Sequence, residues 1–377
     1  MATATSLSRR LGAAVREVGL KKGAGGWYGP HMAAAERAIL ERVPLVDLVV
    51  EVRDARIPFT SAFESLRQRV CSHKHMIVLN KVDLANHSLT EKWLKHFENQ
   101  NCLCYGVNAH NKDNIKELLS IVRAKIKELK VGESTYTGTV MLAGIPNVGK
   151  SAITNSMHQI GRISAAEKGK LKHAVVSPQP GETKDISSYK IASHSNIYIL
   201  DTPGVLSPKI SDDDSASKLA LTGTIKDSLV EECKLARYFL AVLNSSEEYK
   251  HWENLKDAVD DTLSLNSREK LMAGCRTDQK RRRQYSSDHT QDFIVKDVRV
   301  TLFKTISSFS DYLEKENEME RLIESQFMAL QEVFRVSLES SEDRYKAVAA
   351  KLLNLFRTGR LGRYTLDLVP SNMQELI

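Results

Sequence analysis

A glycine-bounded turn ending in lysine and serine carries the first legible chemistry. Thr139 to Ser151 reads Thr-Val-Met-Leu-Ala-Gly-Ile-Pro-Asn-Val-Gly-Lys-Ser. Val140 to Ala143 is an apolar run that predicts a buried strand. Gly144, four further residues and Gly149-Lys150-Ser151 follow, with a helix expected over 151–158. This spacing is that of a phosphate-binding loop. Its backbone N–H groups would wrap a β-phosphate, and the helix N-terminus would add partial positive charge. Lys150 would reach the β- and γ-phosphates, and the Ser151 hydroxyl would ligate Mg²⁺.

Two more sets of residues can read a base. Asn80-Lys81-Val82-Asp83 follows an apolar run, His75 to Leu79. The Asp83 carboxylate would accept from guanine N1–H and the exocyclic amine, a donor pair that adenine lacks. Asn80 would brace the loop and contact the base, and the Lys81 stem would cover its face. Alone, such a tetrapeptide is by default a solvated turn. A further strand, 103–107, ends in Asn108-Ala109, where GTPases use a Ser-Ala dipeptide to offer a backbone N–H to guanine O6. Asn108 replaces the serine, but the contact from Ala109 is a backbone one.

A metal side completes the set. The polar stretch from Gly161 to Lys184 ends in Pro180-Gly181-Glu182-Thr183 and fits a switch in which Thr183 meets Mg²⁺ and the γ-phosphate only in the triphosphate state. Asp201-Thr202-Pro203-Gly204 supplies a carboxylate that reaches the metal through water and a glycine N–H that senses the γ-phosphate. The nucleotide-binding set is thus Asn80, Lys81, Val82, Asp83, Asn108, Ala109, Asn147, Val148, Gly149, Lys150, Ser151, Ala152 and Gly204, with Ser151, Thr183 and Asp201 on Mg²⁺.

These residues need a sheet to hold them. Strands are expected at 45–52, 75–79, 103–107, 140–143, 189–192 and 196–200, with Asp47 and Glu51 near the ends of the first. Helices are expected at 33–42, 61–71, 90–98 and 115–129, the last with Leu118, Leu119, Val122 and Ile126 at core spacing. The base readers precede the phosphate loop, the reverse of the usual GTPase order. Joining the old termini through 131–138 and opening the chain after Gly204 gives the same sheet. The expected fold is α/β, a circularly permuted P-loop GTPase domain over 23–210. A mainly helical domain follows over 211–377, with a polar basic insert near 274–300. Phe327, Leu330, Phe334 and Leu338, and Val348, Leu352, Leu355 and Phe356, form core stripes there. Lys280-Arg281-Arg282-Arg283 in the insert is a solvated run or an RNA-backbone contact, and Arg357, Arg360 and Arg363 form a second basic candidate with Tyr364 available for stacking.

Composition adds bounds. The net charge of +7 suits a polyanionic partner or simply solvated helices. The five cysteines match no zinc spacing and do not suggest a disulfide framework. No run approaches the length of a membrane span, so none is expected. Residues 1–22 are Arg-bearing, acid-poor and amphipathic, as in a mitochondrial transit peptide. A basic arm or the first helix of the domain is the alternative.

The chain resembles the circularly permuted YlqF/RbgA-type ribosome-assembly GTPases, and within them the plant mitochondrial DAR GTPases. The resemblance rests on Trp27-Tyr28-Gly29-Pro30-His31-Met32, Asp54-Ala55-Arg56, Asn80-Lys81-Val82-Asp83, Gly144 to Ser151, Pro180 to Thr183, Asp201 to Gly204, Lys218 to Gly223 and Gly359-Arg360-Leu361-Gly362-Arg363. It implies hydrolysis of GTP to GDP coupled to maturation of a large ribosomal subunit, with rRNA contact, in the mitochondrial matrix. Val205 stands where many GTPases carry a water-orienting Gln, so slow intrinsic turnover is expected. The resemblance implies Asn147 as a ligand for K⁺ and His31 as the residue orienting the water; capping or packing at a helix start is the alternative for His31. Asp54-Ala55-Arg56 is either a switch-proximal element or a salt-bridged strand end. The rival function is a nucleotide-gated RNA-binding module with negligible turnover.

Overall fold

The computed structural model describes residues 2–20, 27–67, 69–130, 137–164, 185–192, 196–207, 210–255, 293–309, 316–336 and 340–370. These form two compact units. A sheet unit comprises residues 9–231 and the chain from Arg363 onward, and a helical unit comprises residues 1–8 and 232–362. The boundary thus falls after Glu231 rather than at 210, and the C-terminal residues return to the sheet unit.

Six strands build the sheet: β1 (Leu48–Asp54), β2 (His75–Asn80), β3 (Leu103–Val107), β4 (Gly138–Ala143), β5 (Ser187–Ala192) and β6 (Ile197–Asp201). Their spatial order is β3-β2-β1-β4-β6-β5. All neighbours are parallel except β5, which runs antiparallel to β6 at one edge. The parallel strands therefore deliver their C-terminal ends to one edge of the sheet, where ligands bind in open α/β folds.

β1 is buried along its whole length, as a central strand covered on both faces must be. It begins later than its apolar pattern indicates, so Glu51 lies mid-strand and fully buried. Arg53, two residues on and hence on the same face, makes this tolerable with bonds of 2.8 and 2.9 Å to the carboxylate. His75 Nε2 at 3.0 Å and the Phe63 N–H at 2.8 Å complete the shell. Burial works against the charge, but Arg53 and His75 outweigh it and hold the Glu51 carboxyl at about 2.

The helices of the sheet unit are α2 (Pro30–Arg42), the short α3 (Glu64–Arg67), α4 (His87–Asn99), α5 (Lys112–Leu129), α6 (Lys150–Ser164) and α7 (Asp213–Leu221), with the part of α1 (Ala2–Leu20) from Arg9 onward. α5 starts at Asn111, whose side chain accepts from the Asp113 and Asn114 N–H groups, a cap worth about 1 kcal/mol. Ile115, Leu118, Leu119, Val122 and Ile126 form its buried stripe. Only 64–67 of the expected 61–71 helix is present. Upstream, the Phe63 N–H goes to Glu51, and those of Phe59 and Thr60 go to Asp367. Residues 9–17 of the N-terminal segment also pack here: Leu11 and Val15 are buried, and Arg16 pairs with Asp213 at 2.8 Å.

The helical unit contains α8 (Glu232–Ser245), α9 (Phe293–Ser307), α10 (Glu316–Val333) and α11 (Ser341–Arg357). Phe239 and Phe356 stack at 4.6 Å, and Phe327, Leu330, Val348 and Leu352 are fully buried. Asn244 and Gln326, both buried, exchange amide hydrogen bonds of 3.0 and 2.7 Å, which satisfies each inside the core. α9 overlaps the end of the expected insert, because Val295, Val298 and Leu302 form a buried helical face. Lys280 to Arg283 and Leu338 lie outside the described residues.

Candidate functional site

The phosphate loop leaves the end of β4 and turns into α6. Gly149 has φ +95°, and a Cβ there would sit 2.3 Å from Asn80 Nδ2, so no side chain fits. Lys150 folds back to donate to the carbonyls of Gly144 at 3.1 Å and Ile145 at 2.9 Å. Burial pushes its ammonium down to about 8. The loop thus holds a buried lysine whose charged form an anionic phosphate would stabilise.

The base reader is tied to this loop directly. Asn80, 2 % exposed, donates through Nδ2 to the Val148 carbonyl at 2.8 Å and accepts the Ala109 N–H at Oδ1, 3.1 Å. One amide therefore spans the phosphate loop and the 108–109 loop. Lys81, with φ +64°, donates to the Asn147 carbonyl at 2.5 Å. Ser156 of α6 donates to the Ala109 carbonyl at 2.8 Å. Asp83 is exposed beside this cluster and Val82 is half-buried. The Ala109 N–H expected to meet guanine O6 is engaged by Asn80 in this structure, and Asn108 Oδ1 accepts the His110 N–H at 2.9 Å.

On the metal side, Ser151 donates to Asp201 Oδ2 at 2.7 Å. Asp201 Oδ1 is buried and has no hydrogen-bond partner. Burial raises the Asp201 carboxyl above its ordinary value. A buried carboxylate oxygen without a partner, next to a phosphate-loop hydroxyl, fits a hard divalent cation such as Mg²⁺. When bound, that ion would neutralise charge on the phosphates. Gly204 presses on the phosphate loop: a Cβ there would lie 2.5 Å from Pro146 Cα. Val205 donates its N–H to the Gly144 carbonyl at 3.3 Å. Ala152, on the first turn of α6, is half-buried.

The expected catalytic residues fare differently. The Val205 side chain is 1 % exposed and packs with Ile39, Val43, Met141 and Ala143, so this position faces the core rather than the cleft. His31 is exposed on the first turn of α2, and Trp27 Nε1 donates to the Ser207 carbonyl at 3.2 Å, which holds this segment beside the Asp201–Gly204 strand end. Thr183 lies outside the described residues. Asn147 has φ +61°, and its Nδ2 donates to the Gly223 carbonyl at 3.0 Å.

Two groups take their meaning from the fold: Asp54-Ala55-Arg56, which forms the salt-bridged strand end of its two expected readings, and a segment that no motif marks. The first is Asp54 with Arg56, both buried at the end of β1 and joined by bonds of 2.8 and 3.0 Å. Lys81 Nζ lies 3.0 Å from the same carboxylate, and Arg56 also donates to the Thr222 carbonyl at 3.3 Å. Burial works to raise the Asp54 carboxyl, but Arg56 and Lys81 hold it well below the usual range. Its place at a parallel strand end is the signal the sequence offers. The second is the segment after Arg363. The Tyr364 N–H bonds the Leu84 carbonyl and the Leu366 N–H bonds that of Arg56. Asp367, 3 % exposed, accepts from Phe59 N, Thr60 N and Thr60 Oγ1 and pairs with Lys218 at 3.1 Å. Tyr364 is consequently buried, 5 % exposed, and not available to stack on a base. Arg363 is exposed.

Phosphate loop, base reader and metal-side carboxylate at one sheet edge define a P-loop domain of the GTPase type, with its base-reading strands placed before the phosphate strand. A family model described as "50S ribosome-binding GTPase" matches residues 139–275. The chain is 56 % identical over 343 residues to "DAR GTPase 2, mitochondrial" of Arabidopsis thaliana, covering 90 % of each chain. It is 43 % identical to "Short integuments 2, mitochondrial" of the same plant, covering 91 % of this chain and 89 % of the relative. It is 30 % identical to "Ribosome biogenesis GTPase A" of Priestia megaterium, over 78 % of this chain and 99 % of the relative. The protein belongs to the circularly permuted YlqF/RbgA-type family of ribosome-assembly GTPases. Among the described residues no helix is long and apolar enough to cross a membrane, and no His, Cys, Asp and Glu group could hold a structural metal.

Proposed function

We propose that this protein binds and hydrolyses GTP to control its association with the maturing large subunit of the mitochondrial ribosome. The observation that carries the reading is the coupling of the Asn80–Asp83 base reader to the carbonyls of Asn147 and Val148 at the phosphate loop. Asp83 selects guanine, Lys150 and the loop amides hold the phosphates, and Ser151, Asp201 and Thr183 hold Mg²⁺. Because Val205 is in the core, water activation falls to another group: His31, a K⁺ held by Asn147 Oδ1, or the ribosomal subunit. Intrinsic turnover is slow and rises with subunit and K⁺. The mitochondrial names of the two plant relatives support a matrix location addressed by the N-terminal segment. Buried Leu11 and Val15 support a mature chain that keeps residues from about Arg9 onward, against loss of the whole 1–22 segment.

Turnover measured with and without large subunits, in K⁺ and in Na⁺, tests this reading. Co-sedimentation with subunits in GTP, a non-hydrolysable analogue or GDP tests the nucleotide control. Rates indifferent to subunits and K⁺ would refute the coupling. The burial of Val205 also favours a second reading, a nucleotide-gated RNA-binding module that scarcely turns over. Nucleotide-dependent binding without any stimulated hydrolysis would select it.

A further inference from the structure

The base reader contains a lysine whose position is not set by its own loop alone. Lys81 sits at φ +64°, an unfavourable backbone region for a residue with a Cβ, and its long stem has many rotamers. Two acceptors define where its ammonium goes: the Asn147 carbonyl at 2.5 Å and Asp54 Oδ2 at 3.0 Å. Asp54 is itself immobilised. It stands opposite Asn80 in the β1–β2 register, and the next residue, Ala55, donates its N–H to the Asn80 carbonyl at 2.8 Å. Arg56 grips it from the other side, with the backbone N–H and Nε on Oδ1, each at 3.0 Å, and Nη2 on Oδ2 at 2.8 Å. A planar guanidinium held this way fixes the carboxylate plane as a lysine could not.

A structural ion pair would be complete with Arg56 alone. Here the carboxylate is shared, and the additional cation is the residue whose stem covers the base. We propose that Asp54 and Arg56 are positioning residues for guanine-nucleotide binding, Arg56 orienting Asp54 and Asp54 orienting Lys81. Without the Asp54 charge, buried Arg56 and half-buried Lys81 would face each other unscreened and Lys81 would swing away, opening one face of the base to water. The role rests on reading this cleft as a guanine-nucleotide site.

Titration of full-length protein with fluorescent GDP separates the two ideas. If the wild-type chain fails to bind GDP, the site reading falls. If it binds, Asp54→Asn is compared in the wild-type and Lys81→Met backgrounds, with thermal unfolding checked for each. Loss of one charge-assisted hydrogen bond predicts a Kd for GDP raised about tenfold in the wild-type background. With Lys81 truncated, Asp54→Asn should change Kd by less than about twofold. An equal loss in both backgrounds, or no loss in the first, overturns the proposal. Arg56→Lys, which keeps the buried charge balance, goes through the same cycle and is read by the same outcomes should Asp54→Asn not fold.

Discussion

Replacing Asn80 with alanine isolates how much of the cleft is held together before any nucleotide arrives. The side chain makes two bonds, to the Val148 carbonyl at 2.8 Å and from the Ala109 N–H at 3.1 Å. Both partners belong to residues at most 4 % exposed. Truncation removes the bonds and strands a buried acceptor and a buried donor. Each lost partner costs about 1–3 kcal/mol, and water entering the vacated space recovers part of it, so a net loss of about 2–4 kcal/mol follows. Urea unfolding of nucleotide-free protein reads this loss, provided the two units are separated. Trp27 and Trp93 lie in the sheet unit and Trp252 in the helical unit. A Trp252→Phe background therefore makes tryptophan fluorescence follow the sheet unit. Asn80→Ala in that background should lower the midpoint and weaken GDP binding together. A stability loss below about 0.5 kcal/mol with GDP binding still impaired would show that Asn80 acts only on the base, and the bridging argument would fail.

Lys150 gives a pH signature. Its folded, nucleotide-free ammonium titrates at about 8, against 10.5 for an unperturbed lysine side chain. Between those values the unfolded chain holds more protons, so stability should rise with pH across that window, with the destabilisation fully present below it. Phosphate binding restores the charge, so calorimetry of GDP binding at about pH 9 in buffers of different ionisation enthalpy should show proton uptake, absent in Lys150→Met. Asp367→Ala removes the acceptor of three donors of Phe59 and Thr60 and leaves Lys218 with Asp214 as its remaining partner; a loss of about 2 kcal/mol in sheet-unit stability is expected from urea unfolding. Val205→Gln should not accelerate hydrolysis, since the position faces Ile39, Val43 and Ala143. It should instead destabilise by about 2 kcal/mol for a buried amide without partners, and a faster single-turnover rate would contradict the placement.

Much of the site is legible in the sequence because its motifs depend on backbone shape at strand ends, and a phosphate loop or base reader leaves a local signature of glycines and short polar residues. The sheet follows from apolar runs whose lengths match its strands. What escapes is non-local. Nothing near Asp367 announces that its carboxylate satisfies backbone donors at Phe59 and Thr60, since such a bond constrains only one of the two partners to be polar. Tyr364 resembles a stacking ring because an aromatic among arginines has the composition of a nucleic-acid contact, whereas its backbone bond to Leu84 turns it into the interior. Glu51 is expected near a strand end because a mid-strand carboxylate is costly, and the compensation from Arg53 and His75 becomes visible only once β1 and β2 are in register. Helix α9 is hidden by the polar composition upstream of Val295. Asn80 reads as a brace from its motif, but which two loops it braces depends on the fold.

The segment after Arg363 has a consequence for the order of synthesis. A ribosome translating this protein releases residues 1–231 first, then residues 232–362 of the helical unit, and only afterwards Tyr364, Leu366 and Asp367. Until those residues emerge, the backbone donors of Phe59 and Thr60 and the ammonium of Lys218 lack their buried acceptor. The GTP-binding unit is thus finished by its last-made strap, and its nascent form must wait with an open seam while the intervening helices are produced. Topologically residues 232–362 are an insertion in the GTPase unit rather than a tail, and a truncation placed after Glu231 would remove part of the nucleotide-binding body as well.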